Sequence, residues 1–255
     1  MTSALLGPGD PPPFVVHRPG GASRFVFIGD HAGQAVPLAL AKLGLPQSEL
    51  DRHIGWDIGV AGVAAALAAQ LDAVTILQRY SRLVIDCNRP LHAPDSIATV
   101  SDGTLVPGNQ SLSEAARRAR TAEIFGPYHQ RIVQELDARA QVRPILVTLH
   151  SFTPVFRGHA RPWHAGVLYQ RDARLAHALR DALAREPGLV VGDNEPYAAS
   201  DATDYAVPVY GEGRGLLHVE LELRQDLIED EDGQRAWAAR FARLLEHCVA
   251  SGRLG

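Results

Sequence analysis

The apolar residues of the chain follow two periods, and their alternation predicts the order of the secondary structure. Short, mostly apolar runs are typical of buried strands, and they occur at residues 24–28, 73–78, 144–149, 164–170 and 188–192. Apolar residues at helical spacing predict helices at residues 56–71, 111–140, 172–185 and 232–250. Strands that alternate with helices predict an α/β sandwich around a mainly parallel sheet.

Local signals refine the expected helix ends. Asp57 stands where an N-cap of the first long helix is expected. Ser111 and Glu114 form a Ser-x-x-Glu capping box, which predicts that the second long helix opens at Ser111. The Gly126-Pro127 pair is expected to kink or split that helix, because proline lacks the amide hydrogen that the helix needs.

The chain is expected to divide into a short arm and one domain. Residues 1–23 are rich in proline and glycine and predict a loose arm, whereas residues 24–255 contain no interior linker and predict a single domain. Residues 82–86 are expected to be a short extended segment. The turn-rich residues 87–110 are long for a connection in a compact domain, which indicates a functional loop.

The last predicted strand, within HVELELRQDLI at residues 218–228, has an unusual polar face. Its period of two places apolar residues on one side and His218, Glu220, Glu222 and Arg224 on the other. A solvated sheet face explains this pattern, and so does a strand that delivers charged groups into a site. This strand alone leaves both explanations open.

Composition narrows the possible function classes. The 255-residue chain is 46% hydrophobic, has a formal net charge of -4 and contains no basic run, so no nucleic-acid partner is expected. No apolar segment is long enough to span a bilayer, and the amino terminus lacks the features of a signal peptide. The two cysteines form no disulfide framework. These features predict a cytoplasmic protein without a membrane partner and leave its oligomeric state open.

Residues suited to metal and acid–base chemistry stand at the ends of predicted elements. His31 and His150 each follow a predicted strand, and Asp57 opens the helix after the loop of His31. Two histidines and a carboxylate are the ligand set of a hydrolytic zinc site that leaves a position open for water. Glu222, near the end of the last strand, is then a candidate general base. Asn88-Arg89 offers a planar guanidinium to a substrate carboxylate.

Each of these residues also has a purely structural interpretation. His31 lies in a glycine-flanked turn, Asp57 is placed as an N-cap, and Arg89 could be a surface residue of a turn. Glu222 and Arg224 could form an ion pair on the strand. No other catalytic motif competes, because the chain contains no Gly-x-Ser-x-Gly, no phosphate-binding loop and no His-Glu-x-x-His.

Six segments, in order along residues 27–228, carry a family resemblance: FIGDHAGQAVP, HIGWDIG, YSRLVIDCNRP, VTLHSFTP, NEPY and VELELRQDLI. Together they resemble the N-formylglutamate amidohydrolase family, which is similar to the zinc carboxypeptidases and their amidohydrolase relatives. The resemblance implies a three-layer α/β/α sandwich of the zinc carboxypeptidase (phosphorylase/hydrolase-like) type, with a mixed, mainly parallel sheet. It also implies metal-dependent hydrolysis of an N-acyl amino acid, such as N-formylglutamate from histidine degradation to formate and glutamate.

The resemblance implies one zinc ion per chain and most of its ligands. His31 resembles the first zinc histidine of the wider group, and His150 resembles the last. Gln34 stands where carboxypeptidases have a ligating glutamate, so the chain departs from their pattern there. We infer that Asp57 substitutes, because it also precedes the helix after the loop of the first histidine. Gln34 as a weak ligand, or a site with two histidines alone, are the alternatives.

The resemblance also implies roles for residues around the metal. Asn88-Arg89 resembles the pair that holds the α-carboxylate of the substrate in carboxypeptidase-like enzymes. The Glu222-Leu223-Arg224 stretch resembles the strand that presents the general base, which makes Glu222 the expected base and Arg224 an expected substrate contact. Arg82 is expected either to polarise the scissile carbonyl or to contact a side-chain carboxylate.

Three functions therefore remain in view. The leading one is a zinc amidohydrolase acting on N-formylglutamate, with a small N-acyl amino acid as its partner. The second retains the zinc chemistry but acts on another N-acyl amino acid or a short peptide. The third is a non-catalytic protein of the same fold that captures an amino-acid carboxylate, and metal content would separate it from the other two.

Overall fold

The structure, a computed structural model that describes residues 4–252, is built on one seven-stranded sheet. Its strands are β1 (Phe14–His17), β2 (Phe25–Gly29), β3 (Val74–Gln78), β4 (Ile145–Phe152), β5 (Ala165–Leu168), β6 (Val191–Asp193) and β7 (His218–Arg224). The order across the sheet is β1-β3-β2-β4-β7-β5-β6. Six of these strands match runs predicted from the apolar pattern, and β1 was not predicted.

The direction of the strands confirms the predicted mixed, mainly parallel sheet. The four central strands β3, β2, β4 and β7 run parallel to one another. Strand β1 at one edge is antiparallel to β3, β5 is antiparallel to β7, and the opposite edge strand β6 is parallel to β5. The carboxyl ends of the four central strands therefore meet at one edge of the sheet.

Six helices accompany the sheet in the described part of the chain. They are α1 (Gln47–Leu50), α2 (Val60–Leu71), α3 (Glu114–Arg120), α4 (Gly126–Ala138), α5 (Arg174–Leu183) and α6 (Glu231–Ala250). Shorter 3₁₀ segments lie at Pro107–Asn109, Ala140–Val142 and Gln225–Leu227, and π-helical turns lie at Thr121–Phe125 and Val207–Glu212. The stretch Leu38–Gly44 contains 3₁₀ turns that are interrupted by positive φ angles at residues 41–43. Two small hairpins pair Val100–Ser101 with Thr104–Leu105 and Val155–Phe156 with His159–Ala160. None of the helices within residues 4–252 combines the length and apolarity needed to cross a membrane.

Apolar cores lie on both faces of the sheet. On one face, α2, α5 and α6 pack against odd-numbered strand residues such as Val147 and Leu221. On the other face, α4 and the segment after β3 pack against residues such as Ile28 and Leu146. This alternation is what the period of two along a buried strand produces. The predicted three-layer α/β/α sandwich is confirmed.

The amino-terminal segment differs from the predicted loose arm. Residues 14–17 form β1, whose backbone pairs with β3 from Phe14 opposite Gln78 onward. Further toward the terminus, the backbone amides of Leu5 and Leu6 donate to the carboxylate of Glu123. Proline- and glycine-rich composition did not indicate these contacts, because the edge strand obtains its hydrogen bonds from a distant partner. Residues 1–3 of the predicted arm lie outside the described residues.

The predicted extended segment at residues 82–86 is wrong, because residues 82–84 form a turn and residues 85–86 belong to no strand. The Ser81 carbonyl accepts from the Val84 amide, and the Ser81 hydroxyl accepts from the Leu83 amide. Serine that bonds to nearby backbone in this way favours a turn over a strand. The turn places Arg82 and Asp86 side by side, with Arg82 Nη2 3.0 Å from Asp86 Oδ2.

Two predicted helix starts are also wrong. Helix α2 begins at Val60 after Gly59, which has a φ of 83°, and no side chain caps it. The carboxylate of Asp57 turns away from the helix and contacts β4. Helix α3 begins at Glu114 with Ser113 as its N-cap, so the predicted box at Ser111 is displaced. The π-helical turn at Thr121–Phe125 separates α3 from α4 at the predicted interruption.

Candidate active site

The carboxyl ends of β2, β4 and β7 meet beside a cavity of about 340 Å³. His31 lies two residues beyond β2, His150 lies near the end of β4, and Glu222 lies near the end of β7. Glu222 stands opposite His150 in the register of the two parallel strands. These side chains line the cavity together with Asp57, Arg82, Asn88 and Arg89. This is the edge at which open α/β sheets place their ligand sites.

His31, Asp57 and His150 form a buried cluster that could hold a metal ion. Their possible ligand atoms all lie within 4.8 Å of one another. Asp57 Oδ2 is 2.9 Å from His150 Nδ1 and 3.6 Å from His31 Nδ1. Two ligand atoms of one tetrahedral zinc ion lie about 3.3 Å apart, so these separations suit a shared ion. His31 Nδ1 is buried and has no hydrogen-bond partner among residues 4–252, which also fits a metal ligand.

Backbone contacts explain how Asp57 reaches a histidine 93 residues away. The Asp57 amide donates to the His31 carbonyl at 2.8 Å, which holds the two loops together. The Asp57 carboxylate accepts from the Ser151 amide at 3.2 Å, next to His150. Burial raises the pKa of Asp57, but the two histidines outweigh it and hold the pKa well below its usual range. Asp57 is therefore an ionised ligand candidate.

Asp86 is a site residue that the sequence did not single out. Its Oδ1 lies 2.6 Å from His31 Nε2, on the side of the ring opposite to Asp57. A carboxylate bound to the outer nitrogen of a histidine fixes its tautomer and leaves the other nitrogen for a metal. Burial opposes ionisation of Asp86, but His31 and Arg82 keep its pKa well below its usual range. The available signal was its position two residues before Asn88 in the IDCNRP segment.

Arg82 lies between the two ionised carboxylates. Its guanidinium contacts Asp86 Oδ2 at 3.0 Å and Asp57 Oδ1 at 3.5 Å, while the side chain remains partly exposed to the cavity. Burial alone would lower the pKa of Arg82, but Asp86 and Asp57 outweigh this effect and raise the pKa above its usual value. Arg82 therefore stabilises the charged forms of both aspartates from the cavity side.

The polar face of β7 is buried, so the solvated-face explanation is wrong. Glu220 and Glu222 are 3% and 5% exposed and line the cavity. Thr148 donates its hydroxyl to Glu220 at 3.2 Å, whereas Glu222 Oε2 is buried without a hydrogen-bond partner in the described residues. Burial raises the pKa of Glu222 well above its usual range and that of Glu220 to about 7.

The electrostatics of the cluster favour a cation. Burial lowers the pKa of His150, but Glu220 and Asp57 raise it to about 10 overall. Acids therefore dominate the surroundings of His150, and a bound divalent cation would stabilise the ionised forms of these acids. The donor set, the buried unpartnered nitrogen of His31 and this excess of acids all fit zinc.

Asn88 and Arg89 line the cavity from the turn-rich loop, but several of their hydrogen bonds are made to protein groups that hold this loop in place. Asn88 Oδ1 accepts from the backbone amides of Tyr205 and Ala206, which joins the loop to a distant segment. Arg89 Nε donates to Asp95 at 3.0 Å, and its Nη1 donates to the carbonyls of Asn88 and Thr203. Both residues line the cavity, and Arg89 is a held rather than a freely moving side chain.

Two residues proposed from the sequence are not brought to the cavity. Arg224 is the last residue of β7, and its Nε contacts Asp226 at 2.8 Å in the turn that follows. Gln34 is exposed and does not line the cavity of His31, Asp57 and His150. The structure also adds rim residues that the sequence did not indicate, notably His53 and Tyr197.

Two sequence comparisons match this chain to known proteins. The sequence model of the N-formylglutamate amidohydrolase family matches residues 23–229. An N-formylglutamate deformylase of Pseudomonas aeruginosa is 30% identical over 213 residues, which cover 73% of this chain and 79% of that protein.

Solved structures show the same fold. A gene product of Agrobacterium tumefaciens has a TM-score of 0.93 and 33% identity, with 97% of this chain and 98% of that chain covered. An N-formylglutamate amidohydrolase of Ralstonia eutropha has a TM-score of 0.68 and 19% identity, with 94% and 98% covered. Since the family model spans most of the chain, this protein belongs to the N-formylglutamate amidohydrolase family.

Proposed function

We propose that the protein is a zinc-dependent amidohydrolase that cleaves N-formylglutamate to formate and glutamate. The observation that carries the proposal is the buried His31, Asp57 and His150 cluster, which opens into the cavity beside Glu222. The similarity to a deformylase of Pseudomonas aeruginosa supports the choice of substrate.

The residues of the cluster and Glu222 divide the chemistry between them. Held by His31, Asp57 and His150, zinc would supply a Lewis acid that polarises the acyl carbonyl and acidifies water. Glu222 accepts the proton from the attacking water and passes it to the departing nitrogen. The water oxygen bonds to the acyl carbon as the C–N bond breaks, so the products are a carboxylic acid and a free amino group.

The arginines of the cavity account for recognition of a dianionic substrate. Arg89 Nη1 and Nε are held by Thr203, Asn88 and Asp95, which leaves the Nη2 group of the guanidinium for a substrate carboxylate. Arg82 presents a second guanidinium to the same cavity. N-formylglutamate carries two carboxylates, and we assign one to Arg89 and the other to Arg82, which would face the substrate while also contacting Asp57 and Asp86.

Metal analysis and a substrate panel test the proposal together. Purified protein is expected to contain about one zinc per chain, because three protein ligands leave one open position. The panel compares N-formylglutamate with N-formylglutamine, which lacks the second charge, and with N-acetylglutamate, which has a larger acyl group. Zinc with preferred turnover of N-formylglutamate supports the proposal. If another member of the panel is preferred, that compound is the better candidate substrate. If the protein binds carboxylates without zinc and without turnover, it is a binding protein and not a hydrolase.

A further inference from the structure

The two histidines of the cluster each have a carboxylate behind them, but only one of these carboxylates is hydrogen-bonded. Asp86 lies 2.6 Å from His31 Nε2. On the other side, Asp30 Oδ2 lies 3.7 Å from His150 Nε2, a distance at which the contact is electrostatic and not a direct hydrogen bond. His150 uses its other nitrogen, Nδ1, toward Asp57.

Asp30 is a buried carboxylate that lacks hydrogen bonds. Its side chain is fully buried, and neither carboxylate oxygen has a hydrogen-bond partner within residues 4–252. His150 Nε2 is likewise buried and unpartnered in that part of the chain. Buried polar groups without partners are rare, because each leaves a desolvation penalty of about 1–3 kcal/mol uncompensated. Two complementary groups of this kind facing each other indicate a shared function.

Tyr128, on α4, is another polar residue near Asp30. Its hydroxyl is buried and has no hydrogen-bond partner in the described residues. Burial raises the pKa of Asp30 to about 6, while His150, His31 and the Tyr128 hydroxyl all act to lower it. Asp30 thus has His150 near one carboxylate oxygen and the unpartnered Tyr128 hydroxyl nearby.

We propose that Asp30 is a positioning residue for His150, and that Tyr128 holds Asp30 in place. A histidine that binds a metal through Nδ1 must carry its proton on Nε2, and an acceptor behind Nε2 fixes that tautomer and the ring orientation. Asp30 provides this acceptor, as Asp86 does for His31. In the zinc-bound protein the Tyr128 hydroxyl would donate to Asp30 and hold the carboxylate toward the ring.

The inference rests on the proposed metal site, and its test is therefore zinc affinity rather than turnover alone. Asp30→Asn preserves the shape of the side chain but removes its charge. We expect the zinc dissociation constant to rise about 10–100-fold, as is usual when such an outer partner of a histidine ligand is lost. Tyr128→Phe is expected to raise it about five-fold, the effect of one hydrogen bond. The double variant is expected to match Asp30→Asn, because Tyr128 acts through Asp30.

Tyr210→Phe is the matched control. The Tyr210 hydroxyl is also buried, but it contacts His129 Nδ1 at 2.7 Å and not the metal cluster. We expect this variant to lose thermal stability without a change in zinc affinity. If Asp30 and Tyr128 serve only the fold, their variants should behave like Tyr210→Phe. The metal-free protein would then melt at a different temperature, and zinc affinity would equal that of the wild type.

The outcomes separate the inference from the proposed function. A wild-type protein without zinc affinity overturns the metal site itself. Wild-type zinc binding together with unchanged affinity in Asp30→Asn overturns only the positioning role. If Asp30→Asn does not fold, Tyr128→Phe decides, because the inference requires Tyr128 to hold Asp30 and an unchanged zinc affinity in that variant contradicts it.

Discussion

The sheet has a cavity at each end, and the larger one is not the candidate active site. A cavity of about 540 Å³ lies at the amino ends of β2, β4 and β7, where Arg24, Arg143, Arg174 and Arg214 line it. The smaller cavity of about 340 Å³ lies at the carboxyl ends of the same strands. Charged side chains line both cavities, so neither volume nor charge identifies the functional site.

The bonding of the side chains does distinguish the two cavities. At the amino ends, Arg214 pairs with Asp137 at 2.7 Å, Arg174 pairs with Asp172 at 2.7 Å, and Arg24 donates to the Val142 carbonyl at 2.9 Å. At the carboxyl ends, His31 Nδ1 and Glu222 Oε2 are buried without hydrogen-bond partners in the described chain. Groups with unsatisfied bonding capacity in a buried site are ready to bind a ligand, and satisfied ion pairs at a surface are not.

The largest effect is expected from removing a metal ligand at the carboxyl-end cavity. His150→Ala or His31→Ala should abolish stoichiometric zinc and reduce turnover to background, because two ligands do not hold zinc in a hydrolytic geometry. His247→Ala, an exposed histidine of α6, is the control and should retain zinc. Metal analysis after gel filtration measures the zinc content. If both ligand variants still contain one zinc per chain, His31 and His150 are not the metal ligands.

Removing the proposed base should reduce turnover while zinc remains bound. Glu222→Gln preserves the shape of the side chain, so kcat should fall by roughly 10²–10⁴-fold with unchanged metal content. Glu220→Gln is the neighbouring control, and a smaller loss of kcat is expected there because Thr148 already bonds that carboxylate. Near-normal turnover in Glu222→Gln would assign the proton transfer to another group.

Substrate anchoring should respond to the geometry of Arg89. Arg89→Lys should lower kcat/KM by ten-fold or more, on the order of 1.4 kcal/mol, because a point charge replaces a planar guanidinium. Zinc content should not change. If a neutral substrate such as N-formylglycinamide loses as much rate as N-formylglutamate does, the effect comes from the loop contacts of Arg89 and not from a carboxylate.

The smallest effect is expected at the opposite cavity. Arg214→Ala removes a guanidinium of the amino-end cavity and its pair with Asp137, and kcat/KM should remain within about two-fold of wild type. The same variant should change thermal stability only slightly, since exposed ion pairs contribute about 0–1 kcal/mol. A ten-fold loss of activity would mean that the two ends of the sheet are coupled.

Local patterns were sufficient to predict most of the strands and the position of two metal-ligand candidates. A strand with one buried face repeats its apolar residues with a period of two, and a helix repeats them with a period of 3.6. Both patterns can be recognised within a short stretch of sequence. His31 and His150 follow apolar runs, so their place at strand ends could be predicted as well. The turn at residues 82–84 was missed because a serine hydroxyl competes with extended pairing there.

The amino-acid sequence by itself thus determined the alternation of strands and helices, the approximate positions of six of the seven strands and the chemical types of the candidate ligands. Only the tertiary structure decided that Asp57 turns from its helix to His150, that Asp86 and Asp30 stand behind the two histidines, and that Arg224 lies outside the cavity. Periodicity is a relation between residues a few positions apart, whereas these contacts join segments that become neighbours only when the order of strands across the sheet is set.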